Sequence, residues 1–114
     1  MTDYIIIFEG KSADWNAIGA DEKQRIMENY YAYVNRLKRE DRFKSGSALG
    51  TGRELRADKG LVLVDGPFAE TKEALNGYMI FRAETETEAL AIARECPALT
   101  HGDRVQFYPL ASHP

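Results

Sequence analysis

A chain of 114 residues, 44% hydrophobic and 29% charged, is long enough for one core and too short for two, so we expect a single domain over residues 1–114. The 15 basic and 18 acidic residues give a net charge of −3 without an obvious cationic face, which argues against nucleic-acid binding. No apolar segment approaches the ~20 residues that span a membrane, no basic leader precedes the first apolar run, and one cysteine excludes an internal disulfide. We therefore expect a cytoplasmic protein with neither membrane nor nucleic-acid partners.

The first half of the chain predicts a strand, a helix, a second strand and a hairpin. Residues 4–8 read Tyr-Ile-Ile-Ile-Phe, an uninterrupted apolar run that predicts a strand buried on both faces. Residues 21–40 carry apolar side chains every three or four positions, which is typical of an amphipathic helix. Residues 42–49 predict the second strand, and residues 53–56 and 61–64 predict the hairpin.

A turn motif follows the hairpin. The Asp-Gly-Pro of residues 65–67 comes directly after an apolar run and predicts the end of a strand, because proline fixes its own φ and restricts the residue before it. The resulting rigid bend would present Asp65 and Phe68 at the strand end.

The second half of the chain predicts a strand, a helix and a closing strand. Residues 78–81 form a short apolar strand. Thr85 and Glu88 have the spacing of a capping box that begins a helix, and Pro97 ends it. A polar loop then leads to a strand near residues 105–110.

This order of elements indicates an α+β fold of the ferredoxin-like split βαβ type with an inserted β-hairpin. Two helices cover one face of a four-stranded antiparallel sheet, yet the strands at 4–8 and 78–81 lack the alternation of a half-solvated sheet. We therefore expect a second copy to pack sheet-to-sheet against the other face, forming a homodimer with a dimeric α/β barrel. The alternative is a monomer whose hairpin folds over that face.

Residues 65–73 read Asp-Gly-Pro-Phe-Ala-Glu-Thr-Lys-Glu, and this signature resembles the DGPF family within the YCII-related proteins. Residues 75–78, Leu-Asn-Gly-Tyr, are similar to the family's Leu-Gly-Gly-Tyr, and residues 96–99, Cys-Pro-Ala-Leu, are similar to its Cys-Pro-x-Leu. The resemblance spans nearly the whole chain. It implies a dimeric ferredoxin-like barrel with a pocket between sheet and helices or near the dimer seam, and it implies no particular reaction.

Distant YCII-like relatives include lyases that eliminate chloride from chlorinated lactones or quinols. The histidine–aspartate dyad proposed in such relatives takes its histidine from the first helix, where this chain has Tyr30 and no histidine. The closing segment at residues 105–109, Val-Gln-Phe-Tyr-Pro, also lacks the acid and the arginine of the family's Val-Glu-Val-Arg-Pro. The resemblance therefore carries no dyad onto this chain.

Proton transfer has two candidate residues, Asp65 and His101. A histidine titrates near neutrality, and a carboxylate that accepted its ring N–H would make the pair a general base or acid for proton abstraction or elimination. Each residue also has a structural interpretation. Asp65 is suited to accepting backbone N–H bonds within the bend, and His101 to a solvated position in a polar loop.

Five residues are candidates for ligand binding: Tyr30, Phe68, Glu70, Lys72 and Glu73. Lys72 would attract an anionic substrate while Glu70 or Glu73 positions a proton, and the two aromatic rings would line a pocket for a flat ligand. The alternative roles are ion pairs with a partner subunit for the charged residues and core packing for Tyr30.

Two histidines and one cysteine without ligand-like spacing predict neither a metal site nor a cofactor. Two classes of function remain. The first is a small cofactor-independent lyase, isomerase or dehalogenase that acts on a small anionic or cyclic metabolite. The second is a non-catalytic small-molecule-binding or protein-interaction module on the same barrel.

Overall fold

A four-stranded antiparallel sheet with two helices forms the body of the chain. The computed structural model describes residues 1–10, 17–50, 52–67 and 74–111, and it describes their side chains except at residues 54, 56, 58, 62–67, 74, 75 and 101. The sheet has the strand order β2-β5-β1-β6, and β3 and β4 form a separate two-stranded sheet. The elements are β1 Thr2–Gly10, α1 Ala20–Arg39, β2 Phe43–Ala48, β3 Arg53–Asp58, β4 Leu61–Pro67, β5 Ala74–Ala83, α2 Glu86–Arg94, a 3₁₀-helix Pro97–His101 and β6 Arg104–Pro109.

This order confirms the predicted α+β architecture with its inserted hairpin, and the arrangement is that of a ferredoxin-like fold. The central strand β1 pairs antiparallel with β5 on one side and with β6 on the other. Strand β2 pairs antiparallel with the outer side of β5. The four strands therefore share one sheet, as the sequence pattern predicts.

Burial alternates along β1. Tyr4, Ile6 and Phe8 are buried in the core, whereas Ile5 and Ile7 on the opposite face are only half-buried. The prediction of a strand buried on both faces is therefore wrong for the single chain, because both helices pack on the same face of the sheet. The other face, called the open face below, has apolar side chains along its two central strands: Ile5, Ile7, Tyr78 and Ile80.

The helices bury the stripe that the sequence predicts. Leu37 of α1 is fully buried, and the Tyr33 hydroxyl donates a 2.7 Å hydrogen bond to the carbonyl of Ile92 in α2, which joins the two helices. The Thr85 hydroxyl accepts a hydrogen bond from the N–H of Glu88, so the predicted cap is confirmed. The Glu88 carboxylate reaches back to the N–H of Glu84, one residue before the cap.

Strand β4 does not end at Asp65, as the turn motif predicts, but continues to Pro67. The register explains the difference: Leu55 pairs with Val64 and Arg53 with Pro67, so β4 holds one more residue than β3 over this interval and the motif forms a bulge within the strand. Proline is compatible with an edge strand beside a bulge, and both strands of a two-stranded sheet are edges.

The segment before β6 also differs from the prediction. It forms a 3₁₀-helix, Pro97–His101, rather than a loop throughout. Pro97 begins this helix, where its missing N–H has no intrahelical partner to lose, and Gly102 ends it with φ 93°, a left-handed conformation suited to glycine. Asp103 therefore follows a defined turn directly before the first residue of β6.

The topology collects several chain segments at one end of the sheet. Strands β1 and β2 run in one direction and β5 and β6 in the other. The last residues of β1 and β2, Gly10 and Ala48, therefore lie at the same end as the first residues of β5 and β6, Ala74 and Arg104. The hairpin leaves the sheet from this end, and the chain returns to it. We call it the hairpin end of the sheet.

Candidate functional site

A carboxylate, an amide and a glycine meet at the hairpin end of the sheet. The Asn76 amide donates a 3.2 Å hydrogen bond to Oδ2 of Asp103. The Asp103 carboxyl group also lies directly over Gly10: a Cβ at this position would be 2.8 Å from Asp103 Cγ and 2.9 Å from Asn76 Nδ2. Only glycine leaves this space free, so the end of β1 is shaped to admit the carboxyl group. Asp103 itself is half-buried.

Tyr30 of α1 lies against the same end of the core. Its ring centroid is 5.9 Å from that of Phe8 in β1. Burial raises the pKa of the Tyr30 phenol well above its ordinary value, and the charges of Cys96 and Asp103 raise this pKa further. Tyr30 is therefore a neutral phenol at physiological pH, able to donate its proton in a hydrogen bond. We call Tyr30, Asn76 and Asp103, together with Gly10, the sheet-end site.

Cys96 lies behind this site and is only 2% exposed. Burial raises the pKa of its thiol to about 11; a hydrogen bond from the backbone of Ala98 opposes this shift, and the charge of Asp103 adds to it. Because a thiol must ionise to act as a nucleophile, this environment makes Cys96 a core residue.

The raised pKa of Cys96 gives a prediction on stability. An ordinary thiol ionises near pH 9.0, so between pH 9 and pH 11 the unfolded chain loses a proton that the folded chain keeps. The free energy of unfolding should hold steady below about pH 8 and then fall by about 2–3 kcal/mol through this window, since one pKa unit corresponds to about 1.4 kcal/mol. Tyr30 and Tyr33 act in the same direction above pH 10.

Urea unfolding at successive pH values measures this loss. Cys96→Ala is the matched variant: it lowers stability at every pH by removing buried atoms, and its further decline between pH 9 and 11 should be shallower than that of the wild type. Equal slopes in the two proteins would contradict the assignment to Cys96.

The predicted site residues have different outcomes. Tyr30 is placed at the sheet-end site. Asp65 lies in β4 and His101 at the end of the 3₁₀-helix, but the side chains of both are outside what the structure describes. The other four candidates, Phe68, Glu70, Lys72 and Glu73, lie outside the described residues.

Sequence reasoning missed Gly10, Asn76 and Asp103. These three residues are far apart in the chain. Their contact depends on the antiparallel register of β1 with β5 and β6, so no local pattern predicts it. The predicted topology contained a usable signal: the end of the first strand coincides with the starts of the later two, and each of these points carries a polar residue or a glycine.

A second feature is an open groove of about 460 Å³ between α1 and the segment that follows α2. Arg36, Arg39 and Thr100 line it, and Arg36 forms an ion pair with Glu95 at its wall. A groove of this kind, open to solvent and lined by an aromatic ring and paired ions, is suited to binding rather than to water-excluded chemistry.

Across the described parts of the chain, no three histidine, cysteine, aspartate or glutamate side chains are grouped so that they could hold a metal ion. Neither helix of these parts has the length and apolar character needed to cross a membrane.

The structure is similar to that of 5-chloro-2-hydroxyhydroquinone dehydrochlorinase (TftG) from Burkholderia phenoliruptrix AC1100, solved in complex with 2,5-dihydroxybenzoquinone. The TM-score is 0.53 at 15% sequence identity, over 91% of this chain and 90% of that chain. At this identity the likeness establishes a shared fold. No curated protein matches the sequence significantly. The family model described as the YCII-related domain matches residues 3–109, and the chain therefore belongs to the YCII-related domain family.

Proposed function

We propose that the protein is a cofactor-independent lyase, isomerase or dehalogenase that moves a proton on a small anionic or cyclic metabolite. The observation that carries this proposal is the sheet-end site, where the Asp103 carboxyl group lies over Gly10, is held by Asn76 and is close enough to influence the Tyr30 phenol. A base and a neutral proton donor in one site are the elements of general acid–base catalysis.

The proposed chemistry assigns one role to each group. A carboxylate abstracts a proton from a carbon next to a carbonyl or an electron-poor ring, and the electron pair of that C–H bond forms a new double bond. In an elimination, the leaving group departs with its own electron pair; in an isomerisation, the proton returns at another carbon. The Tyr30 phenol donates a hydrogen bond to the oxygen on which negative charge develops.

We infer that Asp65 and His101 complete the proton-transfer machinery. His101 precedes Asp103 by two residues at the end of the 3₁₀-helix, and Asp65 belongs to the hairpin that leaves the sheet at the same end. For the signature segment, we propose that Lys72 attracts an anionic group while Glu70 or Glu73 positions a proton.

The similar dehydrochlorinase gives this proposal a substrate class to begin with. The ligand in that structure, 2,5-dihydroxybenzoquinone, is a small ring that carries oxygens, and a dehydrochlorinase removes hydrogen and chloride. The carbonyl oxygens of such a ring accept hydrogen bonds and suit the Tyr30 phenol, and its hydroxyl groups donate them and suit the Asp103 carboxylate.

We further propose that the protein acts as a homodimer that packs open face to open face, forming a dimeric α/β barrel in the cytoplasm. Ile5, Ile7, Tyr78 and Ile80 give this face an apolar centre. The Glu9 carboxylate accepts hydrogen bonds from Arg104 and Gln106 at its rim. An apolar centre with a polar rim is typical of protein interfaces.

The second candidate function, a non-catalytic binding module, is favoured by the groove beside α1. Arg36 and Arg39 have guanidinium groups suited to binding a carboxylate or phosphate. The ion pair between Arg36 and the Glu95 carboxylate is an example of such a contact. Ligand binding at this groove would need no proton transfer.

A thermal-shift panel of lactones, quinols and small carboxylates tests the proposal. A ligand at ten times its Kd stabilises the folded state by about 1.4 kcal/mol, which raises Tm by roughly 5 °C for a domain of this size. We expect the shift to disappear in Asp103→Asn and in Asp65→Asn and to persist in Asp21→Asn, the matched exposed control on α1.

Proton exchange separates the two candidate functions. For a ligand found in the panel, a lyase or isomerase should exchange the carbon-bound hydrogen with deuterium from D₂O, as followed by NMR, and Asp103→Asn should stop this exchange. A ligand that binds without exchange, and whose binding is lost in Arg39→Gln instead, would contradict the enzymatic proposal and favour the binding module.

A further inference from the structure

Strand β5 contains one extra residue, Asn76, at the hairpin end of the sheet. Phe8 of β1 pairs with Gly77 of β5. The next residue of β1, Glu9, pairs with Leu75, so Asn76 lies between these two pairs without a partner of its own in β1. This is the pattern of a β-bulge, and bulges often lie beside functional sites, where they change the direction of a side chain.

The bulge turns the Asn76 side chain toward the face of the sheet that the helices cover. Tyr78 and Ile80 lie on the open face, and strict alternation along β5 would place position 76 on that face as well. Gly10 belongs to the covered face, since it continues the buried alternation of β1. The Asn76 amide nitrogen lies 2.9 Å from the position of a Cβ at Gly10 and within hydrogen-bond distance of Asp103. The irregularity in the sheet therefore brings this amide into the sheet-end site.

The backbone of Asn76 is held from the side of β2. Its carbonyl oxygen accepts a 3.0 Å hydrogen bond from the N–H of Leu49, the residue directly after β2. The side chain is short, and its amide is tied to Asp103 by a 3.2 Å hydrogen bond. A short side chain on a fixed backbone has few positions for its amide, so Asn76 is suited to fixing the Asp103 carboxyl group in place.

The carboxyl group of Asp103 also determines how the Asn76 amide is turned. A carboxylate only accepts hydrogen bonds, so the amide directs its NH₂ group toward Asp103 and its carbonyl oxygen away from it. That side-chain oxygen accepts no hydrogen bond from the described residues. It is accessible, because Arg36 Nε is the sole buried side-chain nitrogen or oxygen without a partner in the described part of the chain. The Asn76 side-chain oxygen is therefore an acceptor that a ligand can reach.

We propose that Asn76 is a positioning and specificity-determining residue: its NH₂ group holds the Asp103 carboxylate, and its side-chain oxygen accepts a hydrogen bond from a hydroxyl group of the ligand. The inference rests on the proposed function and narrows its substrate class to cyclic ligands that carry a hydroxyl group. A site built to accept a hydrogen bond rejects an analogue without the donor, because the acceptor then loses water without a replacement.

Binding of matched ligands to the full chain tests the specificity role. Two pairs differ in the donor: α-hydroxy-γ-butyrolactone with γ-butyrolactone, and hydroquinone with 1,4-difluorobenzene. By isothermal titration calorimetry, we expect the wild type to bind a hydroxyl compound at least about tenfold more tightly than its analogue, which corresponds to about one hydrogen bond. Asn76→Ala should reduce this preference to about twofold or less. Asn35→Ala, the matched exposed control on α1, should keep it.

Two binding results would overturn the inference. One is the same ligand preference in Asn76→Ala as in the wild type. The other is a wild type that binds neither hydroxyl compound, or that binds each analogue as tightly as its hydroxyl partner.

Deuterium exchange at carbon, followed by NMR on the hydroxyl compound that binds, tests the positioning role. Asn76→Ala should lower the exchange rate at saturating ligand about 10- to 100-fold, because a displacement of about 1 Å in a reacting group costs a factor of this size. Thr85→Ala is the control for a purely structural effect. It removes the cap of α2 and destabilises the fold, yet its exchange rate should remain that of the wild type.

The Asn76 amide can also be observed without a ligand. Its side-chain NH₂ signals in a ¹⁵N NMR spectrum, assigned by their absence in Asn76→Ala, should shift in Asp103→Ala, because the hydrogen bond between the two side chains is then lost. The NH₂ signals of Asn35 should not shift. Unchanged Asn76 signals would overturn the positioning role.

The outcomes separate this inference from the proposed function. Discrimination between the matched ligands without exchange at carbon would contradict the proposed enzyme and support the specificity role of Asn76. Exchange that Asn76→Ala retains at the wild-type rate, with the wild-type ligand preference, would support the enzyme and overturn the inference.

Discussion

Replacing Gly10 with alanine is expected to abolish ligand binding at the sheet-end site while leaving the protein folded. The new methyl group would meet the Asp103 carboxyl group and the Asn76 amide well inside van der Waals contact. The backbone at Gly10 is held by pairing with Ala74 of β5, so the flexible side chains move and their hydrogen bond is lost. We expect the free energy of unfolding to fall by about 1–2 kcal/mol, the cost of one such bond, measured by urea unfolding beside the thermal-shift panel.

A double variant and a control make the Gly10 prediction specific. Adding Asp103→Ala removes the carboxyl group that the methyl meets, so it should restore part of the stability without restoring ligand binding. Gly50→Ala is the matched control, because a Cβ at Gly50 meets nothing within 4 Å and its φ is not in the left-handed region. Full ligand binding by Gly10→Ala would show that the position of Asp103 does not matter.

The largest loss of stability is expected for Phe81→Ala. Phe81 is fully buried in β5, and its ring stacks with that of Tyr4, with centroids 6.2 Å apart. Removing a buried aromatic ring costs the transfer free energy of its atoms and leaves a cavity, so we expect about 3–5 kcal/mol less stability in urea or thermal unfolding. This is a large fraction of the total for a domain of this size.

Tyr31→Ala is the control for that measurement, because Tyr31 is 61% exposed on α1 and should cost less than about 1 kcal/mol. A Phe81 variant that lost no more than the Tyr31 variant would mean that the sheet-and-helix core is not packed as described. The two variants need no ligand, so they test the fold independently of the site.

The periodicity of apolar residues was sufficient to predict the order of helices and strands. It was not sufficient to predict burial or strand ends that depend on a neighbouring element. The stripe at Ile26, Tyr33 and Leu37 and the cap at Thr85 lie within single helices, so the sequence contains all the information needed. The half-burial of Ile5 and Ile7 depends on which face the helices cover. A run of apolar residues does not distinguish a face covered within the chain from one left for another molecule.

The same reasoning applies to the candidate site. Tyr30 was predicted because it lies on a helix stripe and carries a hydroxyl group. Asp103 is not among the candidates from the sequence, since its contact with Gly10 and Asn76 arises from the register of three strands. The end of β4 was misplaced for a related reason: the motif stays in the strand as a bulge, and a bulge is defined only by the pairing with β3.

The position of the hairpin insertion allows evolution to change the hairpin without changing the four-stranded sheet. The chain departs after Ala48 and re-enters at Ala74, and none of the pairings in the four-stranded sheet includes β3 or β4. Lengthening, shortening or recharging the insertion therefore leaves the register of that sheet intact. Relatives built in this way can acquire new partners or new specificities through the insertion while inheriting an unaltered scaffold.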